Sequence, residues 1–478
     1  MLPLKEKDKP VVQKLLSAGC CARCVLRFCS VSVQAAYRQA QQVGPPRPIH
    51  DSGCEGACAE TLTALLTGTV AVKTTVTCCG VFSQIAEAVK AEKYEFDTMV
   101  LSVSLPAQLC VREVSVEKGL LFDKDDVIQV KEAFKWVMQG LVAKQLGGVA
   151  VVTKSAFEVG VEFTHPETDA DCHFLASACP DCFKPTKNKQ SVFTRMAVVK
   201  ALEKISDAKF LKHYPCPPTQ PTSSCSPQDV QCLHTSVFVA GRYNKFSRSL
   251  PQTPWLIDGE RRMESSVEEL IAAPLLAAFR ADGFNFSSSG REDVDVRTLG
   301  NGRPFAMELL KPHKSRFNRA EMKQLQETIN VSSDKIRVRD LQIVTREAMS
   351  RMKEGEEEKT KSYTALIWTQ KPIQREDIIF IDDIKDLTLD QKTPLRVLHR
   401  RALAVRQRVI HSMNARFLDP HHFYLGLKTQ AGTYIKEFVH GDFGRTKPNL
   451  CELLKTDADI LELDVESVDV DWPPAIPE

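Results

Sequence analysis

The sequence predicts an α+β protein of more than one domain, on three observations. Residues 98–105 form an apolar run of strand length. The apolar residues within 191–205 recur at helical spacing, so the same half of the chain holds both strands and helices. Residues 215–227 are rich in proline, serine, threonine and cysteine, which is typical of a domain boundary. At 478 residues the chain is long enough for two to four domains.

The same patterns predict the elements in order. In the N-terminal half we expect a strand at 98–105, a helix beginning after Asp126, strands at 149–153 and 156–163, and a helix from about Ser191. The remaining predicted strands lie in the C-terminal half, at 237–243, 336–344, 361–368, 404–410, 423–427 and 460–472. Helices there are predicted after a Ser265-Ser266 cap, at 319–328, and after Thr433.

Composition limits the class of protein. Hydrophobic residues make up 43% and charged residues 26%, as in ordinary globular proteins, and the net charge is only +2. Affinity for an acidic partner must therefore come from local basic patches. The chain has no apolar run of membrane-spanning length, and its start lacks the apolar core of a signal peptide. Sixteen cysteines without such a signal predict a reducing compartment, with metal ligands or free thiols.

The cysteines near the start suggest a zinc site. Cys21 and Cys24 have the C-x-x-C spacing that lets two thiolates reach one tetrahedral zinc ion. Two further ligands are needed, and any two of four nearby cysteines could supply them: Cys54, Cys58, Cys78 and Cys79. The alternative is a set of small buried or free thiols. For the later group around Cys179 and Cys182, the pattern favours helix core over a second metal.

The centre of the C-terminal half is residues 287–305. Apolar and polar residues alternate at 294–299, which predicts a strand with Asp293, Asp295 and Arg297 on one face. The Gly300-Asn301-Gly302 sequence predicts a hairpin turn after that strand. Carboxylates next to arginines at a strand entrance could be aimed at a ligand. The alternative is a solvated strand edge with surface ion pairs.

Two basic segments suggest a nucleic-acid surface. Residues 242–255 mix Arg242, Tyr243 and Lys245 with further aromatic residues and contain no acid, which suits phosphates and unstacked bases. A surface loop with part-buried aromatic rings is the alternative. Residues 391–418 also contain no acid, and a basic loop beside a sheet is a reasonable structure for binding the phosphates of an RNA backbone.

Three motifs resemble those of the pseudouridine synthase family and occur in the family's order. Residues 290–293 resemble its G-R-x-D box, 361–363 its K-x-Y box, and 432–436 its G-T-Y-I-(K/R) box. The resemblance implies a catalytic domain built on a mixed, mainly antiparallel sheet flanked by helices. It implies that Asp293 is the nucleophile, held by a cation such as Lys436, and that Tyr363 stacks on the flipped base. Asp295 is expected to pair with nearby arginines.

The resemblance also implies RNA-gripping loops and an accessory domain. A forefinger is expected at 253–266 and a thumb at 391–406. The expected RNA-binding residues are Arg242, Tyr243, Lys245, Arg261, Arg262, Arg291, Lys392, Arg396, Arg400, Arg401 and Arg406. Residues 1–214 are expected to form an accessory RNA-binding domain, α/β and THUMP-like, followed by a linker at 215–235 and the catalytic domain at 236–478. The one structural zinc ion of the accessory domain is assigned to Cys21, Cys24, Cys78 and Cys58, and no organic cofactor is expected.

The expected function is isomerisation of uridine to pseudouridine in the T-loop of tRNA, at positions 54 and/or 55. The alternative is a non-catalytic RNA-binding protein that acts in primary microRNA processing. We expect a monomer without membrane association in the nucleus and cytoplasm, with the mitochondrion as a third compartment.

Overall fold

The chain divides into two compact units, Met1–His234 and Thr235–Glu478. The computed structural model describes residues 6–17, 20, 22–38, 78–120, 126–183, 192–219, 221, 225–352, 354 and 359–476. No helix within these ranges is both long and apolar enough to cross a membrane.

The first unit contains a four-stranded sheet in the order β2-β1-β3-β4. Its strands are β1 (Thr98–Ser104), β2 (Ala150–Val151), β3 (Phe157–Thr164) and β4 (Ser226–His234). The first three correspond to predicted strands, and β1 runs parallel to β2 and β3. The predicted linker at 215–235 is wrong in its second half, because β4 lies there and pairs antiparallel with β3. Its exposed, proline-flanked edge position explains why its composition resembles a linker.

Helices pack on this sheet because β3 alternates buried and exposed residues. Phe157, Val159, Val161 and Phe163 point into one core, and Phe134 meets Phe163 edge to face there. Cys172, Cys179 and Cys182 belong to a second apolar cluster. Among the described residues of this unit, the α-helices are α1 (Lys9–Ser17), α2 (Ala22–Phe28), α3 (Gln34–Arg38), α4 (Cys78–Glu92), α5 (Gln108–Leu120), α6 (Val130–Gln145), α7 (His173–Ala178), α8 (Arg195–Lys204) and α9 (Asp207–His213).

The second unit is built on one ten-stranded sheet in the order β10-β5-β9-β16-β11-β14-β13-β12-β15, with β8 also paired to β9. These strands are β5 (Val237–Lys245), β8 (Gly283–Ser288), β9 (Arg297–Leu310), β10 (Ile336–Val344), β11 (Thr360–Thr369), β12 (Lys385–Lys392), β13 (Val405–Asp419), β14 (His422–Gln430), β15 (Thr446–Lys447) and β16 (Ala458–Val468). β9 and β16 run parallel, and the other paired strands of this sheet are antiparallel. The expected mixed, mainly antiparallel sheet is therefore confirmed.

Helices flank this sheet, and a small hairpin lies apart from it. The hairpin pairs β6 (Leu256–Ile257) with β7 (Glu260–Arg261), inside the segment predicted as the forefinger. The predicted helix after Ser266 is confirmed, since the Ser266 hydroxyl caps it by accepting from the Glu269 N–H. The α-helices of this unit are α10 (Val267–Phe279), α11 (Arg319–Ser332), α12 (Arg346–Arg351), α13 (Arg375–Ile378), α14 (Ile435–His440) and α15 (Leu450–Leu454).

The predicted strand at 294–299 is confirmed only from Arg297, where β9 begins, and the predicted glycine turn is wrong. The chain is a loop from Arg291 to Val296, and β9 then runs without a turn through the three residues of the predicted hairpin. Gly300 and Gly302 have positive φ, and a Cβ at Gly300 would lie 1.8 Å from the Glu466 carbonyl oxygen. The glycines therefore serve an irregular, closely packed stretch of a continuous strand, where the β5 register shifts.

Candidate active site

The three motif boxes converge on one cleft in the second unit, with a volume of about 480 Å³. The loop before β9 supplies Asp293, strand β11 supplies Tyr363, and the start of α14 supplies Lys436. A loop between β12 and β13 closes another side of the cleft with Arg396, Val397, Arg400 and Arg401. The predicted catalytic residues are thus brought together although they are up to 143 residues apart in sequence.

Asp293 lies between two cations. Arg396 Nη1 donates to Asp293 Oδ2 at 2.8 Å, and Lys436 Nζ lies 3.4 Å from the same oxygen. The Asp293 side chain is 32% exposed, so it is open to the cleft yet ion-paired. The two cations hold this carboxylate in a fixed position that faces the cleft, where a nucleophile is needed.

Lys436 pairs more closely with Asp295 than with Asp293. Its Nζ donates to both carboxylate oxygens of Asp295, at 2.9 and 2.8 Å. Burial raises the pKa of Asp295, but the hydrogen bonds and charge of Lys436 outweigh this and leave the pKa below its ordinary value. The expectation that Asp295 pairs with arginines is therefore wrong for its side chain, which is more exposed than that of Asp293.

Arg396 is held in place by Glu437, a residue that the motif analysis missed. Arg396 Nε donates to Glu437 Oε1 at 2.6 Å and Nη2 donates to Oε2 at 3.3 Å. The Glu437 side chain is only 2% exposed, so this carboxylate is committed to the guanidinium. Arg396 was expected to bind RNA from the thumb. In the structure it bridges Glu437 and Asp293, and its RNA-binding role stays a prediction.

A buried polar network fixes the loop that carries Asp293. Arg303 Nε donates to Glu292 Oε2 at 2.7 Å, and the Tyr243 hydroxyl donates to the same carboxylate at 2.8 Å. Gln252 Nε2 donates to the Tyr243 hydroxyl and to the Gly290 carbonyl. Burial and the Glu292 charge raise the pKa of Tyr243 well above its ordinary value, so Tyr243 is a neutral donor.

Lys245 secures the backbone of the same loop. Its ammonium group donates to the carbonyl oxygens of Leu250, Asp293 and Val294, at 2.8, 3.3 and 2.8 Å. The side chain is fully buried, and burial lowers its pKa to about 8. The three N–H groups of Lys245 thus meet three carbonyls. Two of these belong to Asp293, the predicted nucleophile, and to the residue that follows it.

The prediction that Arg242, Tyr243 and Lys245 bind RNA is therefore wrong. All three are buried on β5. Arg242 donates to five backbone carbonyl oxygens, including those of Val468 and Val470 on the last strand and just after it. These residues hold the sheet and the Asp293 loop together, and their buried donor groups are not available to a phosphate in solvent.

Tyr363 is half-buried and is one of the residues that line the cleft. It pairs with Leu427 across β11 and β14. Burial raises the pKa of its phenol above the ordinary value, and the nearby Arg303 charge opposes that rise. The ring is therefore neutral, and its position suits stacking on a planar base.

The other predicted RNA-binding residues fall into two groups. Arg291, Arg400 and Arg401 are exposed and line the cleft mouth, where Arg401 Nη1 donates to the Tyr434 hydroxyl at 3.1 Å. The second group lies outside the residues that line the cleft: Arg261, Arg262, Lys392 and Arg406. Within that group, Arg261 is ion-paired to Glu269 and Arg262 to Glu260.

Most of the predicted zinc site lies outside the described residues. This applies to Cys21, to Cys58 and to the side chain of Cys78. Cys24 is buried, and its Sγ accepts a hydrogen bond from Arg27 Nη1 at 3.8 Å. Across the described part of the chain, no group of three or more histidine, cysteine, aspartate or glutamate side chains is arranged to hold a metal ion. The zinc assignment stays a prediction.

Two family models match the chain, one in each unit. The model described as Eukaryotic Pus10, N-terminal, matches residues 73–232, and the model described as Pus10, C-terminal, matches residues 238–469. The second match spans the G-R-x-D, K-x-Y and G-T-Y-I-K boxes.

Full-length relatives carry the same family name. The chain is 56% identical to the tRNA pseudouridine synthase Pus10 of Mus musculus over 526 aligned residues, and 54% identical to that of Homo sapiens over 528. Both alignments cover 100% of this chain and 100% of the relative. Among solved structures, the crystal structure of a Cbf5-Nop10-Gar1 complex is similar over 48% of each chain, at 15% identity and a TM-score of 0.26.

Proposed function

Because this chain belongs to the Pus10 family, we propose that it is a tRNA pseudouridine synthase that uses Asp293 as its nucleophile. The observation that carries the catalytic assignment is the position of Asp293. It lies in an open cleft, ion-paired to Arg396 and Lys436 and facing the same space as Tyr363. Family membership and site geometry thus point to the same reaction.

The reaction is an isomerisation that balances without a co-reactant. The bond from the sugar to the ring nitrogen breaks, a bond from the sugar to a ring carbon forms, and the hydrogen on that carbon leaves as a proton. The freed ring nitrogen gains a proton, so nothing is oxidised or reduced. The protein must therefore supply a nucleophile, a pocket for a flipped base and a route for one proton.

Each part of the cleft has a role in this scheme. Asp293 attacks the target uridine, and the bond that it forms breaks again as the sugar joins the ring carbon; Arg396 and Lys436 hold its carboxylate in position. Tyr363 stacks on the flipped base and assists removal of the proton from the ring carbon. Arg291, Arg400 and Arg401 hold phosphates at the cleft mouth.

The finer assignment concerns the substrate and the first unit. We place the target in the T-loop of tRNA, at positions 54 and/or 55. The first unit is proposed to be a THUMP-like accessory RNA-binding domain with one structural zinc ion at Cys21, Cys24, Cys58 and Cys78. Zinc has no part in the chemical step. Metal analysis of a variant carrying both Cys21→Ser and Cys24→Ser tests the ligands, since unchanged zinc content rules them out.

The test of the function is a map of pseudouridine in total tRNA, made with and without this protein. We expect new pseudouridine in the T-loop when the wild-type protein is added to unmodified tRNA. Primary microRNA treated in parallel serves as a second substrate. Binding of both RNAs with no pseudouridine in either would overturn the proposal and leave a non-catalytic RNA-binding protein.

A further inference from the structure

Phe443 occupies a conformation that does not stabilise the isolated protein. Its side chain is 94% exposed, although phenylalanine is among the residues most often buried. Its backbone is left-handed, with φ of 56°, which is rare for a bulky side chain. It stands in a run of four such residues, since Gly441, Asp442 and Gly444 also have positive φ. Exposure and strain together point to a role outside folding.

The turn that presents Phe443 is firmly held. Gly444 N–H donates to the Gly441 carbonyl at 3.0 Å, and Thr446 N–H donates to the same oxygen at 3.2 Å. The Asp442 carboxylate is buried and lies 3.4 Å from Arg445 Nε. The phenyl ring is therefore exposed from a fixed backbone, and little backbone entropy remains to be lost when it binds something.

The same turn is attached to the basic loop at the cleft. Asp442 Oδ2 accepts from the Leu395 N–H at 3.2 Å, and Arg445 Nη2 donates to the Thr393 carbonyl at 2.5 Å. That loop continues into Arg396, Val397, Arg400 and Arg401, which line the cleft. Phe443 is thus coupled to the wall of the cleft through two hydrogen bonds.

The charge around the turn selects the kind of partner. Residues 391–418 contain no acid, and Arg400 and Arg401 are exposed. Of the nearby carboxylates, those of Glu437 and Asp442 are buried and already bound to Arg396 and Arg445, and the exposed Asp390 lies opposite Lys447 across β12 and β15. The surface therefore offers cations together with an aromatic face, which is the combination that binds single-stranded nucleic acid.

We propose that Phe443 is a stacking platform for an unpaired base of the RNA substrate, next to the base that enters the cleft. This rests on the proposed function for the identity of the RNA. Leu395, whose backbone N–H is bound by Asp442, is also exposed on the adjoining loop. Phe443 takes no part in the chemical step, because it does not line the cleft.

The test compares full-length Phe443→Ala, Phe443→Trp and wild-type protein on a T-loop stem–loop RNA. Val331→Ala is the matched control, since Val331 is 85% exposed but lies on α11. We expect Phe443→Ala to weaken binding about 10-fold or more, Phe443→Trp to bind nearly as wild type, and Val331→Ala to change nothing. At saturating RNA the Phe443→Ala single-turnover rate should stay within about twofold of wild type, because stacking contributes to binding alone.

Two further readouts separate stacking from charge and from folding. The slope of log affinity against log salt should be unchanged in Phe443→Ala and lower by about one in Arg400→Ala. The loss of RNA affinity in Phe443→Ala should disappear on a fully paired duplex, which has no unpaired base. Fluorescence of Phe443→Trp should be quenched by the stem–loop, and this variant decides the matter if the alanine variant is unstable.

The inference is overturned if Phe443→Ala binds the stem–loop RNA within twofold of wild type. It is also overturned if Phe443→Ala loses as much affinity for duplex RNA, or if the stem–loop does not quench the fluorescence of Phe443→Trp. If Phe443 instead contacts an acidic peptide or protein, Phe443→Ala should bind the RNA within twofold of wild type. A wild-type protein that binds RNA without making pseudouridine overturns the proposed function, and the binding comparison then still decides the role of Phe443.

Discussion

Replacing Glu437 with glutamine is expected to slow the reaction without weakening RNA binding. Glu437 does not line the cleft; it accepts two hydrogen bonds from Arg396, which in turn binds Asp293. An amide keeps one acceptor oxygen and turns an NH₂ group towards the guanidinium. Arg396 then loses one of the two contacts that aim it at Asp293.

The size of the effect follows from these contacts. A hydrogen bond between charged groups contributes roughly 1.5–3 kcal/mol. Because the Arg396 side chain is 38% exposed, solvent screening reduces this to about 1–2 kcal/mol. At 1.36 kcal/mol for each factor of ten, the single-turnover rate should fall about 5- to 30-fold.

The assay is release of tritium from a T-loop RNA labelled at carbon 5 of uridine, because that hydrogen leaves when the new bond forms. Rates are measured at saturating RNA for wild type, Glu437→Gln, Arg396→Ala and the double variant. We expect the Glu437→Gln effect to vanish once Arg396 is alanine, since Glu437 acts through Arg396. Effects that add within about 0.5 kcal/mol would refute the reasoning. RNA affinity and thermal midpoint are the controls.

Two other predictions concern the buried groups that hold the Asp293 loop. Glu292→Gln should lower the free energy of unfolding by roughly 3–5 kcal/mol, because Arg303 is left as a buried, uncompensated charge. Urea unfolding measures this difference. A loss below about 1 kcal/mol would contradict a stabilising role for the Glu292–Arg303 pair. For Lys245 the pKa is about 8 in the fold and ordinarily 10.5, so the unfolded chain binds more protons between these values and stability must rise with pH there. Wild type should gain up to about 3 kcal/mol relative to Lys245→Met from pH 8 to 10.5. A difference independent of pH would mean that Lys245 has no shifted pKa.

The sequence predicted those parts of the site that depend on local patterns. Strand β11 with Tyr363 and the short helix with Lys436 follow from apolar spacing, which is set by the core on one face of each element. The three family boxes indicated which side chains share the cleft. The position of Arg396 beside Asp293 did not follow, because it depends on Glu437, 41 residues further along the chain.

The errors have a common physical origin. Arg242 and Lys245 look like surface cations because most of the carbonyls that surround them come from distant parts of the chain, such as Trp472 for Arg242 and Val294 for Lys245. Gly300 and Gly302 have turn chemistry because they need positive φ, but a positive φ also suits an irregular strand packed against Glu466. Local sequence specifies the backbone conformation of such residues, and tertiary packing decides what it is used for.

The central claim is that Asp293, and not its neighbour Asp295, is the nucleophile. The direct test measures pseudouridine formation on a T-loop transcript by wild type, Asp293→Asn and Asp295→Asn under single-turnover conditions. Both substitutions remove one carboxylate next to Lys436, so they match each other in charge and position. We expect no pseudouridine from Asp293→Asn with RNA binding nearly intact, and a rate within about 10-fold of wild type from Asp295→Asn. Turnover at the wild-type rate in Asp293→Asn, or its complete loss only in Asp295→Asn, would contradict the assignment.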